Sequence, residues 1–351
     1  MSDDYTAPAP KDPSVPEDPP VPEDTPTPIV PPAPKDASSA PLILAVLAAA
    51  LSGALVAFQG NFNGAFNAHG GGPLLAGWVS YVGTFITVII IMMVQRNVGT
   101  FLEILRTRSK PWWYYVGFGG VPIVVATSWG IPIVGVAIAS VCSVAGQTII
   151  SLVFDQRGVG IPAPIAFSGR RVLATLVALA GLALAISASS GTSTTLWATI
   201  ATGLIIAIAG AGLSAQNVGN GAVVARTGYP LLPCLTSVIG GTALMSVILV
   251  IAAATGNLSL TFPPLSSWWM YLGGPVGAAI VLCSAWAIRR LGAFRLTLAV
   301  VAGQMVTAVL VDLAAGTPVP PTTIAAAITM VLATTLVVVS ATPTARGAVG
   351  R

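Results

Sequence analysis

AGQTIISLVFD at residues 145–155 and AGQMVTAVLVD at residues 302–312 are two versions of one string, and each ends in an aspartate. The alanine, glycine, glutamine and aspartate recur at the same spacing, 157 residues apart. Acidic residues are otherwise rare in the apolar part of this chain. The repeated string therefore indicates an internal duplication.

The composition is typical of a chain whose surface faces lipid. Of the 351 residues, 55% are hydrophobic and 7% are charged, and the mean hydropathy is +0.87. A soluble domain carries about 25% charged residues, because its surface must face water. About 18 consecutive apolar residues suffice to span a bilayer. We therefore expect an all-α integral membrane protein with no nucleic-acid partner, in which the basic residues flank membrane helices.

Ten apolar segments follow one another from Leu42 onward. We predict them at residues 42–64, 74–94, 113–132, 133–154, 168–188, 196–216, 231–254, 268–288, 294–314 and 322–340. The third and fourth segments are expected to separate at Trp129–Pro132, and the eighth and ninth at Arg289–Gly292.

The basic residues predict how these spans are oriented, because cytoplasmic loops carry an excess of Lys and Arg. If the amino terminus is placed in the cytoplasm, all 15 Lys and Arg residues fall on the cytoplasmic side. The predicted outer loops then contain none. We expect ten spans with both termini cytoplasmic.

The duplication extends over the whole apolar region, at an offset of 156 or 157 residues. The matched positions are Gln59 with Gln216, Asn63 with Asn220, Pro73 with Pro230, Ser80 with Ser237, and Trp112-Trp113 with Trp268-Trp269. Residues 42–188 and 189–340 are thus predicted to be two five-helix repeats. Because five is odd, the second repeat enters the membrane from the opposite face, and such inverted repeats are typical of secondary transporters.

The two ends of the chain are predicted to lie outside the membrane. Residues 1–41 form an acidic tail in which VPEDPP is followed by VPEDTP. Dense proline favours extended polyproline II, and the low apolar content favours disorder. We expect a disordered cytoplasmic tail, with a docking motif for a cytoplasmic partner as an open alternative. Residues 341–351 are predicted to form a short basic cytoplasmic carboxy terminus.

Several features of each unit occur in the same order as in a known family. They are Gln-x-x-x-Asn in the first helix, a turn with Pro and Gly, and Ala-Gly-Gln followed by Asp in the fourth helix. With them, the chain resembles the drug/metabolite transporter superfamily over about residues 42–340, and more narrowly its YdcZ-like branch of bacterial inner-membrane exporters. The resemblance implies a transporter of small molecules. The four-helix multidrug members use a glutamate in the first helix, where this chain has Gln59 and Gln216.

Amide side chains within the predicted spans are the candidate substrate ligands. Gln147 and Gln304 lie beside a glycine, two helical turns before their aspartates. The pairs Gln59–Asn63 and Gln216–Asn220 share a helix face at four-residue spacing. An amide in hydrocarbon needs a partner and therefore faces the protein interior. Substrate contact and hydrogen bonding between helices both remain open for the glutamines, and helix ends or loops remain open for the asparagine stretches.

Three acidic residues lie outside the tail. Glu103 is surrounded by basic residues in a predicted cytoplasmic loop, which indicates a solvated surface group. Asp155 is predicted at the cytoplasmic end of the fourth span, and Asp312 at the outer end of the ninth. Each is a candidate for a gate or a proton-coupling site, and a simple helix boundary is the open alternative.

The sequence offers little from which to build an enzyme. The single histidine is His69, and Cys142, Cys234 and Cys283 lie in apolar runs without a metal-binding spacing. A nucleotide-binding motif is also missing, so no cofactor or metal is expected. We predict a secondary transporter that exports an unidentified small molecule by alternating access, with protons as the candidate coupling ion. The alternative is a non-transporting membrane scaffold or partner protein.

Overall fold

The computed structural model describes residues 39–158, 196–256, 258 and 260–316, together with isolated positions at 169–180 and 319–332. Most of the predicted acidic tail, most of the fifth and tenth predicted spans and the carboxy-terminal segment lie outside these residues. Every regular element in the described part is a helix.

Eight α-helices follow one another along the described chain. They are α1 (Ser39–Phe66), α2 (Gly72–Val94), α3 (Val98–Arg108), α4 (Pro111–Tyr115), α5 (Val121–Gln156), α6 (Leu196–Thr227), α7 (Leu231–Ala254) and α8 (Gly273–Ala314). A π-helical turn at Asn67–Gly71 joins α1 to α2. Turns of 3₁₀-helix at Val116–Gly120 and Leu265–Leu272 precede α5 and α8.

Helical stretches long and apolar enough to cross a membrane account for most of the described chain. Six are found there, at Leu42–Val94, Pro111–Phe154, Trp197–Thr227, Leu231–Ala254, Leu265–Leu291 and Arg295–Ala314. The first two contain 53 and 44 residues. At a rise of about 1.5 Å per residue, each is more than twice as long as the roughly 30 Å hydrocarbon core. Each of these two stretches therefore has the length for two crossings.

The connections between neighbouring spans differ from the predicted breaks. Helix α5 changes direction at Gly135, with φ +80° and ψ 164°, three residues beyond the predicted break at Trp129–Pro132. Glycine adopts this positive φ without a steric penalty, so the chain turns at Gly135 and not at Pro132. Helix α8 continues through Arg289–Gly292, where a break was predicted. The exposed arginines are good helix formers, so their charge ends the apolar run without ending the helix.

The side chains are arranged as expected for a protein in lipid. Large apolar residues such as Ile86, Ile208 and Val250 are more than half exposed, at 52%, 75% and 67%. Polar side chains such as Ser143 and Thr236 are fully buried. Since lipid offers no hydrogen bonds, polar groups gain partners only inside the bundle. The exposed apolar faces and the buried polar groups together identify an integral membrane protein.

Hydroxyl groups connect the helices within this bundle. The Oγ atoms of Ser52 in α1 and Ser284 in α8 are 2.6 Å apart. Ser151 Oγ in α5 lies 2.6 Å from Ser214 Oγ in α6 and 2.8 Å from Thr297 Oγ1 in α8. Such bonds contribute about 0.6 kcal/mol each on average in membrane proteins. They link α1 and α5 to the long helix α8, and α6 to α5.

Two helix crossings depend on glycine, and the residues of one crossing are the repeat equivalents of the residues of the other. Where α1 crosses α8, a methyl group on Gly53 or Gly303 would overlap the backbone of the other helix. The same holds for Gly146 and Gly210 where α5 crosses α6. The overlapped carbonyl groups belong to Val300 and Ala50 in the first crossing and to Ala207 and Ser143 in the second. Shifting each residue by 157 positions converts one crossing into the other.

Candidate functional site

A cavity of about 70 Å³ lies where α1, α2, α5, α6, α7 and α8 meet. Sites that bind drug-sized molecules have volumes of roughly 300–1,000 Å³. A solute of more than a few atoms therefore fits only if the surrounding helices move apart. As described, the cavity is too narrow for a drug-sized molecule.

The residues that line this cavity come largely in pairs separated by 157 positions. Among the pairs are Gln59 with Gln216, Ser80 with Ser237, Gly120 with Gly277, Ile123 with Ile280 and Val124 with Val281. Each pair takes one residue from the first repeat and one from the second. The cavity is therefore bounded by equivalent surfaces of the two repeats.

Gln59 and Gln216 each approach a glycine of the other repeat. Gln59 Nε2 donates to the backbone oxygen of Gly273 at 2.8 Å and to Ser80 Oγ at 3.3 Å. A methyl group on Gly277 would overlap Gln59 Nε2, and one on Gly120 would overlap Gln216 Oε1. Two of the six amides predicted as substrate ligands thus line one cavity.

Asn63 and Asn220 lie one helical turn from these glutamines and are almost fully buried, at 2% and 1% exposed. Asn220 Oδ1 accepts a hydrogen bond of 2.5 Å from Ser237 Oγ, and Ser237 lines the cavity. The Nδ2 atoms of both asparagines have no hydrogen-bond partner in the described part of the chain. An unpaired buried amide donor costs about 1–3 kcal/mol. Each repeat therefore keeps one costly free donor next to the cavity.

Gln147 and Gln304, the other predicted ligand pair, are buried at 1% and 2% exposed but do not line this cavity. Gln147 Nε2 donates to Ser143 Oγ of its own helix at 2.9 Å. Gln304 Oε1 has no partner among the residues that the structure describes. Both follow the crossing glycines directly, which places them at the helix crossings and away from the central cavity.

Asp312 is almost completely buried, at 4% exposed, and it connects α8 to α5. Its Oδ2 accepts from the backbone N–H of Ala137 at 2.7 Å, and its Oδ1 accepts from that of Val136 at 3.2 Å. These two donors directly follow the break at Gly135. They are the free N–H groups that begin a new helical segment, and a carboxylate stabilises such a position. Asp155, its repeat counterpart, lies in the last turn of α5, and its side chain is outside the described part.

Charged groups are kept away from the cavity. All of its lining side chains are neutral, and its polar groups are amides and hydroxyls. Glu103 is exposed on α3, as predicted. Within the described ranges, no three His, Cys, Asp or Glu residues are close enough to hold a metal ion.

Ser80 and Ser237 align in the sequence, but neither has a predicted role in the site. Tyr81, Thr84 and the glycine pair Gly120 and Gly277 also line the cavity and were not predicted. A signal was available, since small or polar residues that recur at the 157-residue offset in two apolar helices are candidates for a shared cavity.

Apolar helices that enclose an uncharged cavity between two repeats, lined mainly by apolar side chains with a few amides and hydroxyls, are features of membrane transport proteins. The family model described as "Putative inner membrane exporter, YdcZ" matches residues 44–184 and, a second time, residues 201–340. The chain belongs to this family. It is therefore a multi-pass inner-membrane transporter of the drug/metabolite type rather than an enzyme, and the resemblance seen in the sequence is confirmed.

Solved structures share the fold. One of them, titled "Crystal structure of protein", matches with a TM-score of 0.58 and 16% sequence identity, over 85% of this chain and 98% of its own. An identity this low shows the fold alone. No curated protein matches the chain.

Proposed function

We propose that this protein is a secondary transporter that exports a small molecule across the bacterial inner membrane by alternating access. The observation that carries the proposal is the central cavity, which is bounded by equivalent residues of two repeats. If the repeats exchange conformations, the equivalent residues of the other repeat close the opposite side of the cavity. One site then faces the two sides of the membrane in turn.

The proposal includes ten spans arranged as two inverted five-helix repeats, with both termini in the cytoplasm. The two glycine crossings support it, because they are interchanged by a shift of 157 residues. Reciprocal contacts of this kind are expected from two halves related by a twofold axis. The basic residues on one side of the predicted spans support the orientation.

In this topology Asp312 lies at the outer face and Asp155 at the cytoplasmic face. We propose that Asp312 acts as an outer gate, since it connects the end of one repeat's helix to the break in the other repeat. Asp155 is proposed as the corresponding inner gate. The substrate is proposed to contact Gln59, Asn63, Gln216 and Asn220, while Gln147 and Gln304 remain candidates at the helix crossings.

A ligand screen tests the position of the substrate site. Purified protein is unfolded thermally against a library of metabolites and drugs, and a ligand at 100 times its Kd adds about 2.7 kcal/mol of apparent stability. We expect the stabilisation by a hit to disappear in the double variant Gln59→Met/Gln216→Met. The matched control, Gln147→Met/Gln304→Met, is expected to retain it.

The reverse pattern, in which only the control variant loses the hit, would move the substrate site to the helix crossings. Transport of the hit into inside-out vesicles then tests export directly. A variant lacking residues 1–38 should still transport the hit. If the protein were instead a scaffold that binds partners through its tail, the same deletion would abolish its function.

Proton coupling is tested separately. We propose that Asp155 and Asp312 carry the coupled protons, because they are the carboxylates nearest the membrane path in the sequence. The double variant Asp155→Asn/Asp312→Asn should lose substrate-driven pH changes in proteoliposomes, and Glu103→Gln should retain them. Undiminished pH changes in the double variant would exclude both residues as proton carriers.

A further inference from the structure

The two repeats hold the same three polar residues in different hydrogen-bonded arrangements. We call Gln59, Asn63 and Ser80 the first triad, and Gln216, Asn220 and Ser237 the second triad. In the first triad, Ser80 Oγ accepts from the glutamine, at 3.3 Å. In the second triad, Ser237 Oγ donates to the asparagine, at 2.5 Å. Equivalent serines therefore have different partners.

The unused partner of Ser80 is a neighbour, and the unused partner of Ser237 lines the same cavity. A methyl group on Gly273 would meet both Asn63 Oδ1 and Ser80 Oγ, so these two oxygens are neighbours although no hydrogen bond joins them. In the second triad, Gln216 and Ser237 line the same cavity. A serine hydroxyl donates as well as accepts, so it can bind the amide nitrogen of a glutamine or the amide oxygen of an asparagine. Each triad thus has the chemistry for both arrangements.

The residue types are identical in the two triads, so chemistry alone does not explain why their arrangements differ. The surrounding helices differ in conformation between the repeats, because α5 breaks at Gly135 whereas α8 continues through the equivalent Gly292. We attribute the different arrangements of the triads to this difference. In a protein with inverted repeats, exchanging those two conformations produces the state open to the other side. The same exchange would interchange the arrangements of the two triads.

We propose that Ser80 and Ser237 are positioning residues that change partner during transport. In the present state, Ser80 binds Gln59 and Ser237 binds Asn220. In the state with opposite access, Ser80 donates to Asn63 and Ser237 accepts from Gln216. This inference rests on the alternating access proposed above, and it identifies the contacts that distinguish the two states.

The exchange predicts opposite effects for equivalent residues. Replacing Asn63 by leucine, which has a similar shape, removes a bond only from the opposite state and therefore favours the present one. Replacing Asn220 by leucine removes a bond only from the present state and therefore favours the opposite one. The net contribution of one hydrogen bond corresponds to a change of about two- to tenfold in the population ratio. A residue with a merely structural role would not produce this difference in sign.

Spin-label distances measure the two populations without a known substrate. One label pair replaces Pro132 and Leu313, and the other replaces Gln156 and Arg289. All four positions are exposed, and a shift of 157 residues interchanges the two pairs. The background carries Cys142→Ala, Cys234→Ala and Cys283→Ala. Double electron–electron resonance then gives the distance distribution near each end of the helices.

We expect Asn63→Leu to shift each of the two distance distributions in one direction. Asn220→Leu should shift each of them in the other direction. Gln216→Met should act like Asn63→Leu, and Gln59→Met like Asn220→Leu, so that a single misfolded variant does not decide the result. Shifts in the same direction for both asparagine variants, or no shift in either, would overturn the partner exchange. Transport of the screening hit distinguishes the two proposals. If transport persists without the expected shifts, only the exchange is wrong, whereas a wild-type protein that does not transport contradicts the proposed function itself.

Discussion

Replacing Gly146 by alanine is expected to destabilise the protein by about 3 kcal/mol, near the upper end of typical overpacking penalties. The added methyl group would overlap the backbone oxygen of Ala207 and approach the backbone of Ala211. Backbone atoms cannot rotate away as a side chain does, so α5 and α6 would have to separate. Gly303→Ala should have a similar effect, since its methyl group would overlap the backbone of Ala50.

This result is opposite to what helix propensity predicts, because alanine stabilises a helix interior by about 0.5–1 kcal/mol relative to glycine. Gly99 provides the matched control. It lies in α3 with no atom within 4 Å of an added methyl group, so Gly99→Ala should be neutral or slightly stabilising. Unfolding in mixed micelles at increasing denaturing detergent measures both variants. If Gly146→Ala proves as harmless as Gly99→Ala, the helices do not approach as closely as described.

The second large effect is expected at Asp312. Asp312→Ala removes both acceptors from the backbone N–H groups of Val136 and Ala137 and leaves these donors buried. A buried donor without a partner costs about 1–3 kcal/mol, and bonds to a charged group are stronger than neutral ones. We expect a loss of about 3 kcal/mol in the free energy of unfolding. Without these two hydrogen bonds, the contact between α8 and the break at Gly135 should also loosen.

The conservative variant Asp312→Asn keeps one acceptor oxygen, so its loss of stability should be smaller than that of Asp312→Ala. Glu103→Ala is the control, because this acid is exposed on α3 and its replacement should change stability little. Unfolding in the same mixed micelles ranks the three variants. An Asp312→Ala variant as stable as Glu103→Ala would contradict the role of Asp312 as a connection between the helices.

The membrane character and the duplication of this protein are properties of its sequence. Hydropathy is calculated from the linear sequence, and a repeat is found by aligning the sequence with itself. Neither requires knowledge of which helices are neighbours. The burial of Gln147 and Gln304 is equally predictable, because an amide in an apolar helix avoids lipid wherever that helix lies. Burial alone does not predict that Gln59 and Gln216 share a site, since that requires the two helices to face each other.

The tertiary structure alone decides which buried polar groups meet. It brings Gln59 and Gln216 to one cavity and leaves Gln147 and Gln304 at the helix crossings. It also pairs Asp312 with the N–H of Ala137, 175 residues away in the sequence. Helical spacing determines which side chains share a face, but it does not determine which helix lies opposite that face. That choice depends on packing, in this case on glycines that allow backbones to touch and on a break at Gly135 that exposes two N–H groups to a distant carboxylate.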